Sequence, residues 1–187
     1  MDDVNNHDER FHAEQTDFKD GVKRVKKYYM AMLISEKWYK NDKLHREDDK
    51  PAWIRYYEDG SKIWLMQWYK NGEQHRDNDL PAERWFYKSK NTKKEKWYQN
   101  GKQHRGGDLP AGVEYYDENR NVKKREWYQN DQLHRDNDLP AVVEYYEDGN
   151  MKEKEWYQNN KNHREGDLPS KIGYYENGNQ KERNFQL

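Results

Sequence analysis

Apolar positions along this chain are mostly aromatic, and they recur in a fixed register. The pair Trp-Tyr stands at residues 38, 68, 97, 127 and 156, so successive copies are 30, 29, 30 and 29 residues apart. Pro51, Pro81, Pro110, Pro140 and Pro169 keep the same steps. Five residues after each Pro begins a second aromatic pair: Tyr56-Tyr57, Phe86-Tyr87, Tyr115-Tyr116, Tyr145-Tyr146 and Tyr174-Tyr175. Everything from Trp-Tyr to this second pair is therefore fixed in length. The one-residue variation lies after it, which is where a turn is predicted. The turn residues agree: Glu-Asp-Gly or Glu-Asn-Gly follows the second pair in the clear copies, and Asn-Gly, Asn-Asp or Asn-Asn comes soon after Trp-Tyr. Asn-Gly and Asp-Gly suit hairpins because both central residues of the favoured turn need positive φ. Between turns run segments such as NMKEKEWYQ (150–158), with aromatics at alternating positions and too few aliphatics for an amphipathic helix. The pattern predicts an all-β antiparallel hairpin meander with about two strands per 29/30-residue repeat.

One stretch does not fit a strand. Ten residues separate Asn119 from Asn130, but 18 separate Asn100 from Asn119. Paired strands must match in length, so the longer segment holds an excursion of roughly six to eight residues that leaves the ladder. Pro cannot donate to a ladder, and Asp, Asn and Gly favour loops. The excursion is therefore HREDDKPA (45–52), HRDNDLPA (75–82 and 134–141), HRGGDLPA (104–111) and HREGDLPS (163–170). With two strands at about 4.8 Å per repeat, successive loops should stand roughly 10 Å apart along one side of the sheet. The same spacing predicts a structural ladder of Trp38, Trp68, Trp97, Trp127 and Trp156, with a Tyr of the intervening strand between each pair. Trp and Tyr, as sequence neighbours, face opposite sides. An elongated, nearly one-layered sheet is the expected result.

The ends depart from the register. Residues 1–17 read as a polar N-terminal tail, 18–37 as a degenerate capping hairpin, and 38–187 as five repeats closed by a cap strand in which Phe185 takes the place of Trp. Repeat arrays need atypical ends to protect the last edges.

Composition narrows the function classes. The 187 residues carry a formal charge of −1, and the 38 % that are charged interleave both signs, which argues against the clustered basic excess of a nucleic-acid binder. At 32 % hydrophobic residues, composition alone would suggest disorder; eight Trp, sixteen Tyr and four Phe held in register argue otherwise. Without cysteine, no disulfide or thiolate metal site can form. The longest apolar run, Met30 to Ile34, and the start MDDVNNHDER predict neither a transmembrane helix nor a secretory signal, hence a soluble intracellular protein.

YYEDGNMKEKEWYQNNK (145–161) and YYENGNQKER (174–183) resemble MORN repeats of the short variant. The full unit, with its HRxxDLPA insertion, is similar to tandem repeats of Marseillevirus-like giant DNA viruses. The resemblance covers residues 38–185. It implies stacked β-hairpins and a scaffold or interaction role, sometimes with dimerisation or membrane association, and for a viral protein a place in the host cytoplasm or virion. The chain departs from the ordinary pattern in its longer period, in the inserted loop, and in Asp42, Asp131 and Asn160, which replace the turn Gly.

His, Arg and Asp within one loop could supply a base and an anion site. Catalysis needs one asymmetric cleft, whereas this chain offers five near-equivalent loops, so no catalytic residue is assigned. The loop Asp (Asp79, Asp108, Asp138, Asp167) is expected to accept backbone N–H bonds ahead of the Pro, with the Arg paired to it or to a neighbouring carboxylate. The candidate binding residues are His45, Arg46, His75, Arg76, His104, Arg105, His134, Arg135, His163 and Arg164. Asp77 with Asp79, and Asp136 with Asp138, offer oxygen pairs of the kind Ca²⁺ takes, but Gly106 breaks the pattern and no metal or cofactor is expected. The Trp row reads as a buried ladder in preference to a stacking platform for sugars or bases. The expected function is a non-enzymatic scaffold presenting an extended surface to a protein partner, with terminal edge strands available for homo-oligomers. The alternative is a peripheral binder of anionic lipid, against which the near-zero charge weighs.

Overall fold

The computed structural model describes residues 10–166 and 168–181, and the chain divides into two compact units between Glu73 and Gln74. Both are all-β antiparallel meanders. The first unit holds β1 (Phe11–Asp17), β2 (Val22–Tyr29), β3 (Met32–Lys40), β4 (Trp53–Tyr56) and β5 (Ile63–Gln67), each paired to the next. The second holds β6 (Glu83–Phe86), β7 (Thr92–Lys96), β8 (Gly112–Tyr115), β9 (Val122–Glu126), β10 (Val142–Tyr145), β11 (Met151–Glu155) and β12 (Lys171–Gly173), again in chain order.

Each of the first four repeats gives the sheet two strands, as the periodicity predicts. The second Asn-containing turn does something else. It closes a small separate hairpin: Tyr98–Gln99 pairs with Lys102–Gln103, Tyr128–Gln129 with Gln132–Leu133, and Tyr157–Gln158 with Lys161–Asn162. Trp is the switch point. Trp127 N–H still bonds the Ala141 carbonyl of the next sheet strand at 2.8 Å, while the Trp127 carbonyl accepts from His134 N–H at 3.1 Å across the small hairpin.

The length variation between repeats falls in the turn after the second aromatic pair. Tyr57 N–H bonds the Lys62 carbonyl and Tyr116 N–H the Asn121 carbonyl, where the repeat has 30 residues. Tyr87 bonds Asn91 and Tyr146 bonds Asn150, one residue sooner, where it has 29. Gly60, Lys90, Arg120 and Gly149 carry the positive φ that closes these turns. In every sheet hairpin of the repeats a bulge absorbs one further residue, such as Lys93, Lys123 or Lys152. Bulges at one fixed position keep the register and add twist.

In the first unit Ala52 is wholly buried, and Ile54, Leu65 and Trp68 are buried with it; in the second Ala82, Ala111 and Ala141 are wholly buried, along with Trp97, Trp127, Trp156, Val113, Val142 and Val143. The sheet surface of the second unit is laced by charges that alternate in sign: across strands Lys94 reaches Glu114 and Glu126 and Lys124 reaches Glu144, and along its own strand Lys124 reaches Glu126, at 3.0 to 3.9 Å.

Two end readings need comment. Phe11–Asp17, expected to belong to a polar tail, is a strand paired with β2 along its full length. Both its faces are exposed, so no hydrophobic period marks it. Its partners specify it instead: Phe11 meets Tyr29, His12 stacks on Tyr28 at 4.6 Å, and the Tyr28 hydroxyl donates to Glu14. The cap strand expected around Phe185 lies outside the described residues, as does Asp167.

Candidate functional site: the interlocked loops

The HRxxDLPA-type loop folds the same way in the first four repeats. Residues three to six of the motif make a tight turn, in which Leu80 N–H bonds the Asp77 carbonyl, Leu109 N–H that of Gly106, and Leu139 N–H that of Asp136, at 3.2 to 3.4 Å. Both central residues are left-handed, at φ +60° and +52° for Asn78-Asp79 and +60° and +50° for Asn137-Asp138. Gly107 and Asp108 match them at +70° and +53°. This is why the fourth and fifth positions hold only Asn, Gly and Asp.

The Arg of each loop turns inward. Its Nη1 donates to the carbonyl of its own Pro: Arg46 to Pro51, Arg76 to Pro81, Arg105 to Pro110, Arg135 to Pro140 and Arg164 to Pro169, at 3.1 to 3.4 Å. Its guanidinium covers the Trp of its own repeat, 4.0 Å from the Trp97 ring for Arg105 and 3.9 Å from Trp127 and Trp156 for Arg135 and Arg164. It also grips the loop before. Arg105 takes the Asp79 carboxylate in a two-pronged bond at 2.8 and 2.7 Å, and Arg135 takes Asp108 at 2.8 and 2.8 Å. These bonds hold Asp79 and Asp108 below the usual carboxylate range. The indole completes the joint: Nε1–H of Trp97, Trp127 and Trp156 donates to the carbonyls of Asp79, Asp108 and Asp138, and that of Trp68 to Asp49, at 2.9 to 3.0 Å.

Of the residues expected in a ladder, Trp97, Trp127 and Trp156 are buried, and each is bracketed by the Arg of its own loop and the Asp carbonyl of the preceding one. The loop Asp, too, receives a side-chain fork from the next repeat at Asp79 and Asp108, while Asp138 accepts the Glu165 backbone N–H and lies 3.7 Å from Arg164.

The histidines are equally engaged. Nδ1 of His45, His75 and His134 accepts the N–H of the hairpin-turn Asn in the next repeat, Asn71, Asn100 and Asn159, at 3.1 to 3.3 Å. That leaves the proton on Nε2, which faces Asp77 at 2.9 Å for His75 and Asp136 at 3.0 Å for His134. His45 Nε2 lies 3.0 Å from Glu47 but off line for a hydrogen bond. His104 differs: Gly106 supplies no carboxylate, and its Nδ1 is buried without a partner. His163 N–H bonds the Trp156 carbonyl.

Two features had a signal in the sequence that reasoning by residue class missed. In three of the pairs the second Tyr sends its hydroxyl to the next repeat, Tyr87 to the Tyr115 carbonyl, Tyr116 to Tyr145 and Tyr146 to Tyr174, at 2.8 to 3.0 Å. And a leucine sits at the tip of four loops: Leu80, Leu109, Leu139 and Leu168 are 37 to 49 % exposed. A large aliphatic residue recurring in a loop otherwise made of Asp, Asn and Gly was the available cue.

The arrangement joins repeats. In the loops of His75 and His134 both imidazole nitrogens have a partner, and the side chains of Arg105, Arg135 and Arg164 are only 16 to 17 % exposed. Among the described residues no group of three or more His, Asp or Glu converges as a metal site. No helix is long and apolar enough to cross a membrane. Comparison with protein-family models, with curated proteins and with solved structures finds no match.

Proposed function

We propose that the chain is a non-enzymatic repeat scaffold that presents an extended surface to a protein partner, in keeping with its likeness to MORN repeats and to viral tandem repeats and thus with a viral structural or host-interacting role. The observation that carries this reading is the division of labour in the loops. Their cations face inward, while Asp77, Asp79, Asp108 and Asp136 keep side-chain exposures of 51 to 67 % beside the leucine tips. What faces solvent is a repeated apolar and acidic motif, the composition of a recognition surface. Affinity capture from the cells that make the protein tests it. A protein retained by the wild-type chain and lost from a Leu109→Ser/Leu139→Ser double variant of unchanged melting temperature is the expected result; no retained protein overturns the scaffold.

A second reading has its own support. In the first unit Lys27 and Arg55 share a cross-strand row through Ser35, and Lys37 lies 4.0 Å over Trp53, on which Arg55 also rests at 4.0 Å. Burial and these two cations hold Lys37 below its ordinary pKa. Such a face suits an anionic lipid surface. Flotation with phosphatidylserine vesicles tests it; Lys27→Glu/Arg55→Glu should abolish flotation if this reading holds.

A further inference from the structure

The loop joint has an open end. At Trp97, Trp127 and Trp156 the preceding loop supplies an Asp carbonyl to the indole N–H, and at the first two of these it also supplies a carboxylate to the guanidinium. Trp38 belongs to the first repeat and has no loop before it, because β1 and β2 are joined by the short turn around Asp20-Gly21. Arg46 lies over the Trp38 ring at 4.2 Å and donates to the Pro51 carbonyl, like its counterparts. Among the described residues, however, no carboxylate stands within ion-pair distance of its guanidinium. The Trp38 indole N–H turns instead to Glu36 at 2.5 Å, and Phe18 covers the ring at 5.4 Å.

Where the missing loop would sit there is a cleft of about 210 Å³, lined by Trp38 and Arg46 together with the ion-paired Lys40, Glu47, Asp48 and Lys50. Its charge is unbalanced. Arg24 also lies over the Trp38 ring, at 5.5 Å, and its Nε is buried without a partner. Two guanidiniums thus share one indole and the Glu36 carboxylate, while the cleft's Glu47 and Asp48 are paired with Lys40 and Lys50. At Trp97 and Trp127 one guanidinium meets one loop carboxylate.

We propose that the Trp38–Arg46 cleft is a binding site for an acidic tight turn on a partner protein, in which an Asp carboxylate takes the Arg46 fork. The chain itself is the template: Asp79 on Arg105 and Asp108 on Arg135 show which group completes this joint. A second copy of the chain is the less suitable occupant. Its loop is tied to a sheet strand, and the place beside β3 where that strand would lie is filled by β2. The inference rests on the interaction role proposed above and names one of its contact points.

The probe is the hexapeptide acetyl-DNDLPA-amide, taken from residues 136–141, added to the intact protein while the Trp38 indole N–H is followed by NMR. The expected result is a saturable shift of that signal. Arg46→Lys, which keeps the charge and loses the fork, should weaken binding about tenfold or more, whereas Lys102→Gln, at an exposed position of the second unit, should leave it unchanged. An acetyl-NNNLPA-amide control should bind at least about tenfold more weakly. Equal binding by Arg46→Lys, equal binding of the control, or no shift at millimolar peptide overturns the assignment. So does a dimer in sedimentation equilibrium that Arg46→Lys dissolves, because the occupant is then a second copy. A captured partner that Arg46→Lys retains, with no peptide shift, removes this site and leaves the scaffold reading standing.

Discussion

At the scale of single residues, equivalent positions in the repeats are not equally engaged. His75 bonds Asn100 through Nδ1 and Asp77 through Nε2, whereas His104 has neither a carboxylate at Gly106 nor a partner for its buried Nδ1. His75→Ala should therefore cost about 1 to 2 kcal/mol, and His104→Ala less, because the latter removes an unsatisfied group along with the ring. Thermal melts of the two variants side by side check this. Glu155 gives a pH test. Burial favours its neutral form, but hydrogen bonds from Lys171 and Tyr157 outweigh burial and hold the carboxyl at about 2, against an ordinary 4.5. A depressed folded pKa stabilises the fold above about pH 4.5, and that contribution fades as pH falls from there towards 2. In Lys171→Gln, which lacks the ammonium 2.8 Å from Glu155, the carboxyl should titrate higher, read by carbon-13 NMR.

At the scale of elements, the small hairpins explain an apparent loss in the sequence. Asp131 and Asn160 replace turn glycines at φ +69° and +65°, yet each side chain accepts a backbone N–H of the preceding repeat, Gln103 and Leu133 respectively, at 2.7 Å. Asp42 accepts from the side-chain ammonium of Lys23 instead. Asp131→Ala should cost about 1 to 2 kcal/mol through the lost bond and a Cβ left in the left-handed region. Trp127→Ala should cost more, about 3 to 5 kcal/mol, because it empties a buried site and frees both the Arg135 guanidinium and the Asp108 carbonyl. Chemical denaturation of both variants orders the two effects.

At the scale of the molecule, the second unit is a one-dimensional array in which the joints link neighbours one repeat apart. Removing one whole period, Tyr98 through Trp127, places Trp97 before Tyr128 and rebuilds the same joint from Asp79 and Arg135. The shortened chain should keep its β circular dichroism and melt cooperatively a few degrees lower. Removing half a period should not, since it brings a sheet strand to a position that a loop must fill.

The sequence by itself determined the strands, the turns and the loop. Their signals are local: positive φ demands Asn, Gly or Asp, Pro leaves the ladder, and a fixed aromatic register leaves one place for length to vary, which the bonds of Tyr57, Tyr87, Tyr116 and Tyr146 locate. Only the tertiary structure decided what the aromatic and loop side chains touch. A period of 29 or 30 residues says that Trp97 and Asp79 recur, but not that the indole of one repeat meets the backbone of the loop before it. That joint depends on the strand ending at Trp and the small hairpin turning away, a choice between two sets of backbone partners that Trp-Tyr can serve equally well. The edge strand Phe11–Asp17 was hidden for the same reason, since with both faces in solvent only its neighbour makes it a strand.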